Sequence, residues 1–307
     1  MKVLLLVNSS ASSVTARSRV VIQKALSADH EVTLAETSRR GHATRLAQHA
    51  AGSGTEVVVV LGGDGTLNEA ANGLARSRCA LAALPGGSTN VFARTIGLPN
   101  DPIEATGDLL DALGQDSIER VGLGVVNGRY FLFHVGMGFD AAVVAQVERR
   151  ASLKRYAGHP LFVYAGFDTW IRHYDRSRPR FSVRFADGTV VDDGYLSICL
   201  NTNPYTYLGN RPLNLAPETT LERGLAMVTL RTLAFGKTMR IIGSALGSGK
   251  HLRSSRWTDH RTDLAHVTVT GYGRFPYQVD GDHLGDTERL ELSHEPEVLD
   301  LVMPVQR

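Results

Sequence analysis

Gly62-Gly63-Asp64-Gly65 stands between an apolar run, Val57-Val58-Val59-Val60, and the apolar set Leu67, Ala70, Ala71 and Leu74. The run reads as a parallel strand buried on both faces. The i, i+3, i+4, i+7 set after it reads as the inner face of a helix. Glycines in a strand-to-helix turn let backbone amides approach a ligand closely and take positive φ. The free N–H groups and dipole of a helix start attract phosphate. Thr66 and Glu69, three apart, match a capping box and would fix that start. Asp64 is out of place beside bound phosphates unless Mg²⁺ lies between them. These residues predict a nucleotide-phosphate site with a metal-facing carboxylate.

A second turn of the same kind follows at Leu84-Pro85-Gly86-Gly87-Ser88-Thr89-Asn90, after the apolar stretch 80–84 and before Val91-Phe92-Ala93-Arg94. Glycine turns at successive strand ends line one edge of a sheet, the edge at which open α/β folds bind ligands.

The chain is similar to the bacterial diacylglycerol kinase and sphingosine kinase-like lipid kinases, a family grouped with NAD kinases and phosphofructokinases. The resemblance rests on Gly62-Gly63-Asp64-Gly65-Thr66-Leu67-Asn68-Glu69 continuing to Asn72-Gly73, on Gly87-Ser88-Thr89-Asn90 with Phe92-Ala93-Arg94, and on Val279-Asp280-Gly281-Asp282. It implies an ATP- and Mg²⁺-dependent kinase that phosphorylates the hydroxyl of diacylglycerol or a similar lipid. Asp282 falls where the family has a glutamate that takes the proton of the lipid hydroxyl, so its carboxylate is one methylene shorter. Read without the resemblance, Asp280-Gly281-Asp282 is a solvated turn.

The resemblance also implies nucleotide contacts at Asn8, Ser9, Ser10, Ala11 and Ser12, where the family's usual Asn-Pro has become Asn8-Ser9. It adds Thr37, which alone would read as a helix cap, then Gly62 to Glu69, and Gly87, Ser88, Thr89 and Asn90. Asp64 would bind Mg²⁺ directly or through water. A second, structural Mg²⁺ is expected to be absent, because Arg223 stands in Thr220-Leu221-Glu222-Arg223-Gly224 where the family has an aspartate. A guanidinium cannot act as an anionic oxygen ligand.

The elements that must position these residues alternate. Strands are expected over 3–7, 31–35, 57–60 and 80–84, with helices from Val14 and over 38–51. The first helix would present Val14, Val21 and Ala25 inward. This is the βαβα pattern of a doubly wound parallel sheet. After Gly122 the pattern changes. Phe181, Val183 and Phe185 alternate, Asp187-Gly188 offers a hairpin turn, and further strands are expected over 193–201, 225–233, 267–270 and 290–292, with helices over 141–150 and 237–247. An antiparallel β-sandwich follows from strands without regular crossovers. The expected division is 1–123 for nucleotide and 124–295 for lipid, with 296–307 returning to the first domain and the site in the cleft between the two.

The 307 residues carry a net charge of +2, too little to argue for nucleic acid, and 43% hydrophobic content, ordinary for a globular protein. No apolar run reaches the ~20 residues of a membrane span. The first strand begins too early for a signal peptide. Cys79 and Cys199, the only cysteines, read as small buried hydrophobes of a reducing cytosol. The basic clusters Arg149-Arg150, Lys154-Arg155 and Arg172 to Arg180 read first as solvated faces and second as a surface for anionic head groups. The expected setting is cytoplasmic, in peripheral contact with the inner membrane face, with a homodimer possible. Other readings are a kinase for a sphingoid base or another lipid alcohol, an NAD kinase, disfavoured by Asn72-Gly73 and by the Asp280-Gly281-Asp282 ending, and a nucleotide- and lipid-binding regulator that has lost catalysis.

Overall fold

The computed structural model describes residues 1–149, 164–247 and 250–305. Two compact units make up the chain: Met1–Leu123 with Pro296–Arg307, and Gly124–Glu295.

The first unit alternates β1 (Lys2–Val7), α1 (Ala16–Leu26), β2 (Glu31–Glu36), α2 (His42–Gly52), β3 (Val57–Gly62), α3 (Asp64–Leu74) and β4 (Ala80–Pro85), followed by α4 (Val91–Thr95) and α5 (Pro102–Gly114). The strands run parallel in the order β2-β1-β3-β4. The chain moves outward from β1 to β2, then crosses back to place β3 on the other side of β1. The sheet therefore has its topological switch point between β1 and β3, where open α/β sheets bind ligands. β3 and β4 are buried at every position, as helix-covered parallel strands must be.

Helix α1 differs in phase from expectation. Ser18, Ile22 and Leu26 face inward, whereas Val21 is exposed. Thr15 caps the helix through a box with Ser18, and this fixes the rotation. Helix α2 starts four residues later than expected, because Gly41 takes a left-handed φ of 77° and the Ser38 N–H turns back onto His42 Nδ1.

The second unit is antiparallel and strand-rich. Its strands are β5 (Ile118–Val126, which begins in the first unit), β6 (Arg129–Phe131), β7 (His134–Gly138), β8 (Phe181–Phe185), β9 (Val190–Gly194), β10 (Leu196–Leu200), β11 (Thr206–Leu208), β12 (Arg211–Leu213), β13 (Leu225–Leu230), β14 (Thr258–Leu264), β15 (His266–Val279) and β16 (Asp282–Val302). The helices α6 (Phe139–Glu148), α7 (Phe235–Ala245) and α8 (Lys250–Ser254) and a π-helical turn at Thr169–His173 complete it. The alternation at 181–185 and the Asp187-Gly188 turn appear as expected, with Gly188 at φ 85°. β15 and β16 far exceed the short strands expected inside them. β15 pairs β8 over its first half and β7 over its second, with the register broken between Thr270 and Phe275. A bulge that lets one strand change partners makes a corner in a β structure.

β13 shows how this core is built. Leu225 and Met227 face a cluster around Phe181, Phe275 and Leu290. Ala226, Val228 and Leu230 face a second cluster, closed by Ile241 and Ala245 of α7 and Leu252 of α8. Alternation puts successive side chains on opposite faces, and both faces are covered, so the strand is apolar everywhere except at Thr229, which pairs with the Ser197 hydroxyl. Cys79 and Cys199 are buried free thiols in different units. Burial raises both above the usual thiol range, Cys79 to about 11.

Candidate active site

In the first unit the two glycine turns meet backbone to backbone. The Gly86 N–H donates to the Gly62 carbonyl at 2.8 Å. A Cβ on Gly86 would lie 2.8 Å from the Gly62 nitrogen, and one on Gly87 would lie 2.8 Å from the Gly63 Cα. Side chains are excluded here by the neighbouring backbone itself. The loop after β1 joins the pair: the Ser13 N–H donates to the Gly86 carbonyl at 2.9 Å and the Ser13 hydroxyl to the Gly87 carbonyl at 3.0 Å.

Asp64 has a positioning role. Its carboxylate accepts the N–H groups of Val91 at 3.0 Å and Phe92 at 3.1 Å, and so caps α4 from the neighbouring turn. The buried Asn90, left-handed at φ 50°, accepts from the Gly87 N–H at 2.7 Å and donates to Asn100 at 2.8 Å. The capping box expected at Thr66 and Glu69 is absent, because α3 begins three residues earlier with Gly63 as its cap. Thr66 instead accepts from the Asn8 amide at 2.9 Å. Glu69 accepts the N–H groups of Gly41 and Ala43, supplying the first turn of α2 with the acceptor that Gly41 cannot offer. With glycine as cap, the first N–H groups of α3 keep no side-chain acceptor of their own, the condition for holding an anion.

The other predicted residues are placed as follows. Ser9, Ser10 and Ser12 are exposed and Ala11 half-buried, on the loop after β1. The Ser9 hydroxyl donates to Glu36 at 2.7 Å, and Glu36 also pairs with Arg19. The Thr37 N–H donates to the Val7 carbonyl at the end of β2. Gly65 lies in the first turn of α3, Leu67 and Asn68 are buried within that helix, and Ser88 and Thr89 lie at the accessible side of the second turn.

In the second unit Asp280 and Gly281 join β15 to β16 with φ of 48° and 81°, the sign pair of a type I′ hairpin turn. Asp280 is not solvated. It is 3% exposed, and its carboxylate accepts the N–H groups of Leu132 at 2.7 Å and of Phe133 and His134 at 3.0 Å each. Asp282 opens β16 and stays half-buried, and the neighbouring His283 N–H donates to Glu148 of α6 at 2.9 Å.

Behind this turn lies a polar network that the sequence reading missed. Tyr205 donates to Asp140, Gln278 donates to the other Asp140 oxygen at 2.9 Å, and the Gln278 carbonyl accepts the Gly281 N–H at 2.8 Å. Desolvation raises the Asp140 carboxyl, against the lowering effect of its Tyr205 and Gln278 hydrogen bonds. Desolvation and the Asp140 charge hold Tyr205 well above the ordinary phenol. His134, whose ring lies tilted against Tyr205 at 4.6 Å, is pushed by burial down to about 3. A Cβ on Gly136 would fall 1.7 Å from Asp140 Oδ2, so only glycine fits there. The one sequence signal was Gly138-Phe139-Asp140, a glycine and an acid at a strand-to-helix joint.

Arg223 is exposed, on the turn that precedes β13. Of the basic clusters, Arg150, Lys154 and Arg155 lie outside the described residues. Arg178 and Arg180 pair with Asp175, and Arg172 lies 3.9 Å from Asp168.

Among the described residues no three of His, Cys, Asp or Glu gather into a metal cage. A carboxylate offers roughly four acceptor sites, so the two N–H bonds to Asp64 do not by themselves exhaust it. Mg²⁺ needs only one or two carboxylates when phosphates and waters complete its shell. The residues fit a nucleotide-borne Mg²⁺.

The fold defines a class first: a doubly wound α/β unit with two interlocked glycine turns, followed by an antiparallel strand-rich unit. A solved diacylglycerol kinase from Bacillus anthracis str. Sterne has this fold, with a TM-score of 0.69 at 20% identity over 98% of this chain and 96% of that one. Within that class, residues 2–126 match the diacylglycerol kinase catalytic domain. A Pseudomonas aeruginosa (strain UCBPP-PA14) protein named "probable lipid kinase YegS-like" is 34% identical over 166 residues, 53% of this chain and 52% of that protein. The chain thus matches about half the length of that relative. The diacylglycerol kinase of Bacillus subtilis (strain 168) is 27% identical over 269 residues, 86% of this chain and 84% of that enzyme.

Proposed function

We propose that this protein is an ATP-dependent lipid kinase that phosphorylates the hydroxyl of diacylglycerol or a similar lipid alcohol, giving phosphatidic acid from diacylglycerol. The observation that carries this reading is the pair of glycine turns locked at the switch point of the first sheet, with an uncapped helix start between them. The α3 N–H groups, with Ser88, Thr89 and the Asn8 to Ser12 loop, bind the nucleotide phosphates. Asp64 holds the second turn in place through α4 and would face a nucleotide-borne Mg²⁺. Bound Mg²⁺ offsets charge on the transferring phosphoryl group.

Asp282 accepts the proton of the lipid hydroxyl as its oxygen attacks the γ-phosphorus and the bridging oxygen leaves with ADP. A positioned base of this kind contributes about 10²–10⁴ in rate. The buried Tyr205–Asp140–Gln278 chain holds the turn beside Asp282 and so orients that base. Peripheral membrane contact at the inner face follows from a bilayer-resident acceptor.

Label transfer from γ-labelled ATP to lipids in mixed micelles, with Mg²⁺ and with EDTA, tests the reading. Phosphatidic acid formed only with Mg²⁺ supports it, and no transfer to any lipid while ATP still binds overturns it. Asp282→Asn should lower kcat by about 10²–10⁴ with ATP affinity unchanged; unchanged kcat removes Asp282 from the role of base.

A further inference from the structure

Helix α7 carries two apolar faces where a surface helix normally carries one. Thr238, Ile241 and Ala245 face the core. Phe235, Met239, Ile242 and Leu246 fall on another side, within about 60° of arc at 100° per residue. Phe235 is 55% exposed, and Ile242 and Leu246 are each 40% exposed. The stripe continues beyond the helix: the buried Trp170 supports the Phe235 ring edge-on at 6.1 Å, and Ile171, next in the chain, is 69% exposed. Scattered exposed apolar residues need no explanation, but a contiguous stripe of this kind marks an interaction surface.

Charge identifies the occupant. From Thr232 to Thr258 the sequence holds Lys237, Arg240, Lys250, Arg253 and Arg256, and no carboxylate at all. In a chain whose charges otherwise nearly balance, this is a one-signed segment. The Lys237 ammonium lies over the Trp257 ring at 3.3 Å and the Arg256 guanidinium at 4.4 Å, so an indole sits between two cations beside the helix. An apolar stripe on a helix that also carries cations is the composition of a helix that lies in the head-group layer of an anionic bilayer.

We propose that the outer face of α7, extended to Ile171, is the surface by which this protein docks on an anionic membrane. The inference rests on the lipid-acceptor reading for its purpose, but not for its observations. It also relocates the contact from the Arg172 to Arg180 cluster, whose acidic neighbours Asp168 and Asp175 offset its charge.

Flotation of the full chain with phosphatidylglycerol or phosphatidylcholine vesicles, at low and high salt, tests the surface. The wild type should float with phosphatidylglycerol, less with phosphatidylcholine, and less at high salt. Phe235→Ser with Ile242→Ser should weaken binding about a hundredfold, roughly tenfold per side chain, with the fold retained and Tm lowered only modestly because each side chain is already 40% exposed or more. Arg240→Glu should weaken binding to phosphatidylglycerol alone. Absence of wild-type flotation, or equal flotation of the double variant, overturns the proposal. A wild-type dimer that the double variant converts to monomer also overturns it, because a second copy then covers this face. Phosphorylation of a water-soluble short-chain diacylglycerol separates the two readings: the double variant should keep it, and a protein that floats but phosphorylates nothing keeps its docking surface and loses its proposed activity.

Discussion

The two turns that carry acidic residues solve the same problem with different materials. In the first unit Asp64 sits at a half-buried turn and caps α4 with two N–H groups, and the surroundings are backbone against backbone at Gly62, Gly63, Gly86 and Gly87. In the second unit Asp280 is sunk among three N–H groups, and behind it Asp140, Tyr205, Gln278 and His134 form a side-chain network. A phosphate site needs donors that hold still and stay accessible, and main chain supplies them. In the second unit the anchoring falls to a side chain: Asp280 is tied down by three N–H groups, and Asp282, two residues on, opens β16 half-buried.

The contrast can be broken from either side. The largest effect is expected from Asp280→Ala, which strands three buried N–H groups at once. Loss of about 4 kcal/mol of stability, or failure to fold, should follow in urea unfolding. A loss below about 1 kcal/mol would show that the network does not depend on this anchor. Gly87→Ala comes next. Its Cβ would press on the Gly63 Cα, so about 1–3 kcal/mol should be lost, with nucleotide affinity falling as the turns separate; calorimetric titration with ATP reads the second part.

Acid should find the second unit before the first. His134 binds a proton near pH 6.5 when unfolded but only near 3 in the fold. Between those values the unfolded chain holds the extra proton, so stability falls as pH falls, by up to about 1.4 kcal/mol per unit. His134→Phe should remove that share of the slope, read as Tm against pH. The smallest effect is expected from Glu69→Ala, about 1–2 kcal/mol, through two lost N–H contacts at the start of α2. Retained stability there would mean that packing against α3 alone holds the helix.

The same contrast explains what could be read from sequence. The first unit's strands, the inner face of α3 and both glycine turns were legible because the signals are local: apolar runs, helical spacing and glycine pairs. The phase of α1 was not, since Ser18 is buried as the partner of Thr15 and no hydropathy pattern announces that. Thr66 and Glu69 have the spacing of a cap, yet each is claimed by a residue more than 25 positions away. The network around Asp140 joins residues up to 138 positions apart, so neither its members nor the inward turn of Asp280 follow from spacing. The long β15 was hidden because Gly271 and Gly273 interrupt its alternation at the point where it changes partner.

β16 has a consequence for biogenesis. Its last residues pair with β4 at Leu81, Asp300 takes the Arg120 guanidinium at 2.8 Å, and the Val298 carbonyl accepts the Arg76 N–H at 2.7 Å. On a ribosome these partners emerge after all of the second unit. The first unit, though begun first, waits with β4 as an open edge until residues 298–301 have been made. The order of synthesis and the order of completion are therefore reversed, and a chain halted before Pro296 leaves the first unit, not the second, without its closing strand.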